Sequence, residues 1–377
     1  MIRVRCLRCG FTGEVHSNYC PRCGFPLITE PRDTLRIERD RPSIWRYSSV
    51  LNHGSRVMTL GEGFTRIRKI NGILIKDESR NPTGSFMDRG SAIVMSNIVG
   101  GEVRVSFEED FTLSLATYAK VAGVNVKVYV DPRVVAAYPE LLRLVMMDNV
   151  TVEFRESLAN SDIHYGDPLF LDGVKTIAYE LYEQIGEVEG IVVPMERGYL
   201  ALAIYEGFRE LQEWGLVGDV PRFILVKYRA SGTNDIANWL VSVGARVEDV
   251  EDTDITKGMI ELAMSGLYVK PVSAMAYAAA KTLGRDYVVV ITGTGIREYR
   301  IGRGYRGLTK LQEAIIKVLK VSGPLTAYEI WERLDGGVTI QGVYKSLNSL
   351  AKRGVISIDY EAHGNRKIRV YRLMNYK

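Results

Sequence analysis

From about Trp45 to Arg300, short apolar and β-branched runs alternate with longer stretches whose apolar residues recur at helical spacing. Candidate strands are Gly72–Lys76, Val124–Val130 and Tyr287–Ile291, and candidate helices are Thr112–Val121, Val174–Ile185 and Leu200–Trp214. Apolar strands joined by crossover-length helices predict an α/β body with a largely parallel sheet covered on both faces. Ligands of such folds settle at strand C-terminal ends, on glycine turns and on helix N-termini.

The pattern changes after Arg297. The run to Gly307 is basic and dotted with glycine, which predicts a linker over 301–307. Beyond it, Leu311, Ile315, Val318 and Leu319 mark one face of a helix from Lys310 to Val321, stopped by Ser322-Gly323-Pro324. Thr326 caps a second helix to Leu334, and Thr339 caps a third that runs to Arg353 before Gly354. Strands Val355–Tyr360 and Lys367–Leu373 follow. Three helices and a hairpin in this order predict a winged helix-turn-helix over 308–377. On the third helix Ile340, Val343, Leu347 and Leu350 form the core stripe, and Gln341, Lys345, Asn348, Ser349 and Lys352 lie opposite. Glutamine, asparagine and lysine can read base edges or hold phosphates, and His363, Asn365, Arg366 and Lys367 at the wing tip suit the DNA backbone or minor groove.

Charge sharpens that expectation. The 377 residues carry a formal +4, but from Leu308 onward 12 Lys/Arg face 6 Asp/Glu, so the basic excess sits in the C-terminal segment. A polyanionic partner fits, with double-stranded DNA as the expected one; a solvated basic tail or a protein-docking module is the competing reading. Mean hydropathy is near zero. With no apolar run long enough to span a bilayer and no secretory start, a cytoplasmic address is expected. Only four glutamines occur, a bias in keeping with a thermophile.

All four cysteines fall in one short segment, as Cys6-x2-Cys9 and Cys20-x2-Cys23, each pair followed by glycine. Two such pairs supply a tetrahedral set of thiolates, which predicts a zinc ribbon over 1–30 with a structural Zn2+. Two disulfides or a redox pair are the competing readings.

The run Lys76-Asp77-Glu78-Ser79-Arg80-Asn81-Pro82-Thr83-Gly84-Ser85-Phe86-Met87-Asp88-Arg89-Gly90 resembles the cofactor-lysine segment of threonine synthases, pyridoxal-phosphate (PLP) enzymes of fold type II. Leu60-Gly61-Glu62-Gly63, Ser114–Ala119, Val193-Pro194, Gly207–Leu211 and Thr292-Gly293-Thr294-Gly295 are similar to later family segments, in the family's order. The resemblance covers roughly residues 1 to 300. It implies a two-subdomain parallel-sheet body over 31–300, with the smaller subdomain roughly at 90–180.

At the position of the family's imine-forming lysine, this chain has Met87. A thioether can neither hold pyridoxal phosphate as a Schiff base nor move protons. Where the resemblance implies a Ser/Thr-Gly-Asn turn, Phe107-Glu108-Glu109-Asp110 stands; the glycine-rich phosphate loop is replaced by Met195-Glu196-Arg197-Gly198-Tyr199. Phe64 stands where the family has asparagine, and Lys270 where it commonly has an acid. Thr292 alone keeps a family cofactor contact, at the pyridine nitrogen. A register shift that brings in another lysine is the alternative, opposed by the ungapped match around Met87.

These departures weigh against pyridoxal phosphate and against catalysis. They lead to the expectation of a transcriptional regulator: a winged helix on an inactive threonine-synthase-like body that senses a small metabolite, an amino acid or a phosphorylated one. The former pocket is expected at Ser79, Thr83, Ser85, Met87, Arg89, Asp110, Glu196, Arg197 and Thr292. DNA contacts are expected from Gln341, Lys345, Asn348, Lys352, Arg366 and Lys367, with the chain a homodimer and free of membrane contacts. The alternatives are a threonine-synthase-like lyase with an unusual site, and a non-enzymatic docking subunit of a transcription or translation assembly.

Overall fold

A computed structural model describes residues 2–14, 17–133, 139–155, 161–283, 287–295, 309–334, 338–352, 355–363 and 366–374. The linker expected at 301–307 lies outside them. The chain divides into two compact units, Met1–Glu298 and Tyr299–Lys377.

The first unit opens with three short strands, β1 (Arg3–Arg5), β2 (Thr12–Glu14) and β3 (Ile28–Thr29), in antiparallel order β2-β1-β3. The body follows as β4 (Ile67–Ile70), β5 (Ile73–Asp77), α1 (Met87–Ser96), β6 (Glu102–Ser106), α2 (Glu109–Ala122), β7 (Asn125–Val130), α3 (Pro139–Leu144) and β8 (Val150–Phe154). Then come α4 (Pro168–Val174), α5 (Thr176–Ile185), β9 (Gly190–Pro194), α6 (Tyr199–Glu213), β10 (Arg222–Tyr228), α7 (Asp235–Ser242), β11 (Arg246–Val250), α8 (Asp252–Met264), α9 (Pro271–Ala280) and β12 (Tyr287–Ile291).

Two sheets result. The larger has the order β11-β10-β9-β12-β5-β4, parallel except for the β4–β5 edge pair. Its central β9 is buried along its whole length, as a strand covered on both faces must be. The smaller, β6-β7-β8, is parallel throughout and carries α2 against it. The helix expected at Val174–Ile185 is α5, and α4 precedes it with Lys175 between them. Lys175 is completely buried and bonds Asp172 at 2.9 Å and Glu210 at 2.8 Å.

The body holds a second buried ion cluster. The guanidinium of Arg89, on α1, forks onto Glu78 (2.7 and 2.8 Å) and onto Glu180 of α5 (2.6 and 2.8 Å). Lys76, from β5, gives its ammonium to Glu180 at 2.7 Å, to the Thr65 carbonyl and to Gln184. All four charged side chains are fully buried, and the set is neutral. Burial works against the Glu180 charge, but Arg89 and Lys76 outweigh it and hold the carboxyl at about 2. Removing one partner of such a cluster strands an uncompensated charge.

The second unit contains α10 (Lys310–Ser322), β13 (Leu325–Thr326), α11 (Ala327–Arg333), α12 (Ile340–Lys352), β14 (Ile356–His363) and β15 (Arg366–Leu373). Thr309 and Thr326 each form a reciprocal capping box, with Gln312 and Glu329. The three strands form an antiparallel sheet in the order β13-β15-β14. Ile315, Leu319, Ile330, Val343, Leu347, Leu350 and Tyr371 make its core.

Arg89→Met should lower the unfolding free energy by about 3–5 kcal/mol, the range for a broken buried pair, read as a shift in the denaturant midpoint. Because the Glu180 pKa is depressed, its stabilisation is complete above its ordinary value near 4.5 and fades as pH falls toward about 2. Glu180→Gln should remove that part of the acid-unfolding slope.

Candidate functional site

The four cysteines converge. Cys6 Sγ lies 3.5 Å from Cys23 Sγ, Cys9 Sγ lies 3.5 Å from Cys20 Sγ, and all four sulfurs fall within 4.8 Å of one another. Four thiolates at zinc distance stand about 3.8 Å apart in a tetrahedron, from a Zn–S bond of about 2.3 Å, so the donor set fits one thiophilic cation. The two halves repeat one turn. Gly10 N–H donates to the Cys6 carbonyl and Gly24 N–H to the Cys20 carbonyl, with both glycines at φ near +70°.

This ribbon packs on the body. Arg5 reaches Glu206, Glu210 and Glu213 along α6. Arg8 bonds Asp235 at 2.6 Å, and the Phe25 ring lies 5.1 Å from Trp239 of α7.

The cleft of the body is organised around the start of α1. Phe86 N–H donates to the Thr292 carbonyl and Thr294 N–H to the Gly84 carbonyl, stitching the 84–86 turn to the end of β12. Gly84 sits at φ +85°, and a Cβ there would meet the Thr294 side chain at 2.6 Å. Asp88 takes the Thr83 amide (2.6 Å), the Thr83 hydroxyl (2.7 Å) and the Ser114 hydroxyl (2.6 Å), which ties α2 to α1. Met87, first residue of α1, is buried. Phe86, Tyr165, Phe170 and Tyr199 form a chain of rings, Phe86–Tyr165 at 6.1 Å, Tyr165–Phe170 at 5.7 Å and Tyr165–Tyr199 at 5.2 Å.

The expected pocket residues separate into two groups. Asp110, Glu196, Arg197 and Thr292 are at least partly exposed, whereas Ser85 and Met87 are buried beside them. Asp110 Oδ2 lies 3.4 Å from where a Cβ on Gly293 would sit, and Thr292 Oγ1 is 2.7 Å from Ser273 Oγ. Three others bond within the frame, and for the fully buried Arg89 this corrects the expected role as lining. Arg89 is spent in the buried ion cluster, Thr83 is turned onto Asp88, and Ser79 donates to Asp77 at 2.5 Å.

Lys270, at the start of α9, bonds Glu109 (2.7 Å) and Asp110 (2.8 Å) and lies 3.4 Å from Glu140. Burial disfavours its charge, yet Asp110, Glu109 and Glu140 outweigh that and raise its pKa above the ordinary lysine value. Arg197 bonds Glu108 at 2.9 Å. Glu196 is exposed; its carboxyl still sits above the usual range, through partial desolvation first and through Glu109 and Asp110, with Arg197 opposing. Glu140 lies thirty residues beyond the acidic run, and nothing in the sequence tied the two together.

These residues do not fit pyridoxal phosphate held as an imine. Such binding needs an amine at the start of α1, where Met87 stands. Lys76 and Lys175 are sealed in ion pairs, and Lys270 is held by carboxylates. Glu196 in the 195–198 turn and Asp110 beside Gly293 place negative charge toward a ligand that is itself anionic.

On α12 of the second unit Gln341, Tyr344, Lys345, Asn348 and Lys352 are exposed, opposite the buried Val343, Leu347 and Leu350. Lys367 and Arg369 are exposed on β15, and Arg369 stacks on Tyr360 at 5.7 Å. Tyr344 and Arg369 were not among the expected contacts, although the same spacing places them there. Arg366 pairs with His363 in the hairpin register; its side chain, like Asn365, lies outside the described residues.

One equivalent of zinc per chain is expected in protein purified without chelator, measured by atomic emission, as for a single four-thiolate site. Cys20→Ser should release it and open residues 1–30 to protease while the body stays folded. Retention of zinc by that variant would point to other ligands.

Among the described residues no helix is long and apolar enough to cross a membrane. A family model described as pyridoxal-phosphate dependent enzyme matches residues 58–295. The chain is 24% identical over 370 aligned residues to the threonine synthase of Methanosarcina acetivorans, covering 78% of this chain and 91% of that one. It is likewise 24% identical to the threonine synthase of Methanocaldococcus jannaschii, over 78% of this chain and 92% of that one. In fold it is similar to serine racemase from Dictyostelium discoideum (TM-score 0.52, 15% identity, 62% of this chain and 93% of that chain). It is also similar to the processed threonine deaminase isoform 2 of Solanum lycopersicum (TM-score 0.51, 14% identity, 69% and 88%). With a family match across most of the body, the chain belongs to the pyridoxal-phosphate dependent enzyme family.

Proposed function

We propose that this protein is a DNA-binding regulator in which a threonine-synthase-like body has given up catalysis and a winged-helix unit reads duplex DNA. The observation that carries the reading is the exposed stripe of α12. Gln341, Lys345, Asn348 and Lys352 stand on one face of a helix whose other face is core, beside an antiparallel hairpin with Lys367 and Arg369 exposed. Helix and hairpin in that order suit a major groove and its flanking backbone. The body supports the reading through Met87, which lacks the amine that the family's chemistry uses. In this proposal the body is a sensor for an amino acid or phosphorylated metabolite, and a homodimer matches a palindromic site.

A threonine-synthase-type lyase is the second reading, favoured by the names of the relatives and opposed by Met87, Asp110 and Glu196.

The full chain should bind duplex DNA with an affinity that falls steeply as salt rises. Lys345→Ala and Lys352→Ala should each weaken all sequences alike and lower the salt slope by about one. Gln341→Ala and Asn348→Ala should relax specificity at a cost of roughly 1–3 kcal/mol. A folded chain that binds no DNA at low salt sinks the proposal and leaves protein docking as the role of the second unit.

Incubation with pyridoxal phosphate should leave the protein colourless, and Met87→Lys alone should not produce threonine from a phosphorylated homoserine. A borohydride-trapped adduct on a cleft lysine would restore the enzyme reading.

A further inference from the structure

Three departures that lie far apart in the sequence meet in space. Glu108, Glu109 and Asp110 open α2, on the small sheet. Arg197 lies in the turn between β9 and α6, and Lys270 caps α9, both on elements of the large sheet. Arg197 takes Glu108 at 2.9 Å; Lys270 takes Glu109 at 2.7 Å, Asp110 at 2.8 Å and, from α3, Glu140 at 3.4 Å. Each basic residue comes from the large-sheet side, and each acid from the small-sheet side.

We propose that these pairs are a latch that holds the two halves of the body closed over the Met87 cleft without any ligand. The physical case rests on charge balance. Four carboxylates and two cations leave this set at net −2, and the N-terminus of α2 offsets part of that through its aligned amides. With either cation gone, the acidic run faces Glu196 across the cleft with less to hold it. Each pair is partly exposed and modest by itself, but Lys270 is shared among three carboxylates and gathers their contributions at one point. Closure is then a property of the free chain, a consequence independent of whether the second unit binds DNA.

The test is amide hydrogen exchange on the full chain, in about 0.05 M and about 1 M salt. Lys270→Glu and Arg197→Glu should each speed exchange by about fivefold or more at low salt. The acceleration should reach residues 85–91 as well as 108–114. Segment 85–91 contains no latch residue, so faster exchange there reports opening of the cleft and not fraying of α2. Adding Asp110→Lys to Lys270→Glu should restore slow exchange, and high salt should move the unmodified chain toward the variants. Arg197 is exposed, so its variant decides the matter if Lys270→Glu fails to fold. Unchanged exchange in 85–91, or acceleration confined to 108–114, overturns the latch.

Discussion

The fully buried guanidinium of Arg89 holds together elements that share no sequence proximity. It binds Glu78 behind β5 and Glu180 on α5, and Glu180 in turn takes Lys76 and the backbone amide of Phe64. A charge in that position is tolerable only because two carboxylates meet it with near-ideal forks. The geometry of the cleft depends on this, since Arg89 lies two residues after Met87 on the same first turn of α1. The frame therefore fixes where position 87 points whatever side chain stands there. It ties the start of α1 to Glu78 and to α5 independently of the side chain at position 87.

That separation of frame from cleft also decides what was legible in the sequence. The strand Tyr287–Ile291 and the helix near Leu200–Trp214 could be read because their periodicity is set by burial alone. The buried ion pair at the α4–α5 junction could not, because Lys175 is a charged residue inside an apolar pattern and its partner Glu210 is 35 residues away. Arg89 and Thr83 had the composition of ligand-binding residues, and their actual partners, Glu180 and Asp88, are ordinary acids that carry no motif. Chemistry conspicuous in a motif can belong to the support of a site as easily as to its lining.

The second unit was more legible, for a physical reason. Its contacts are local, its helices carry threonine caps that mark their own starts, and its hairpin register follows from alternation. What escaped was β13. Two residues, Leu325 and Thr326, pair with Tyr371 and Val370 at the far end of the chain. A strand so short has no period to detect.

The N-terminal ribbon shows a different kind of dependence. Arg5 supplies positive charge to Glu206 and Glu210, both fully buried on α6, and among the described residues Glu206 Oε2 has no hydrogen-bond partner. Glu210 also has Lys175 and Tyr179, and Glu206 has Arg209 at 3.9 Å, so Arg5 adds to compensation that already lies close by. Without the first thirty residues, buried Glu206 would keep Arg209 at 3.9 Å and Glu210 would keep Lys175 at 2.8 Å, so the ribbon matters more to the first carboxylate than to the second.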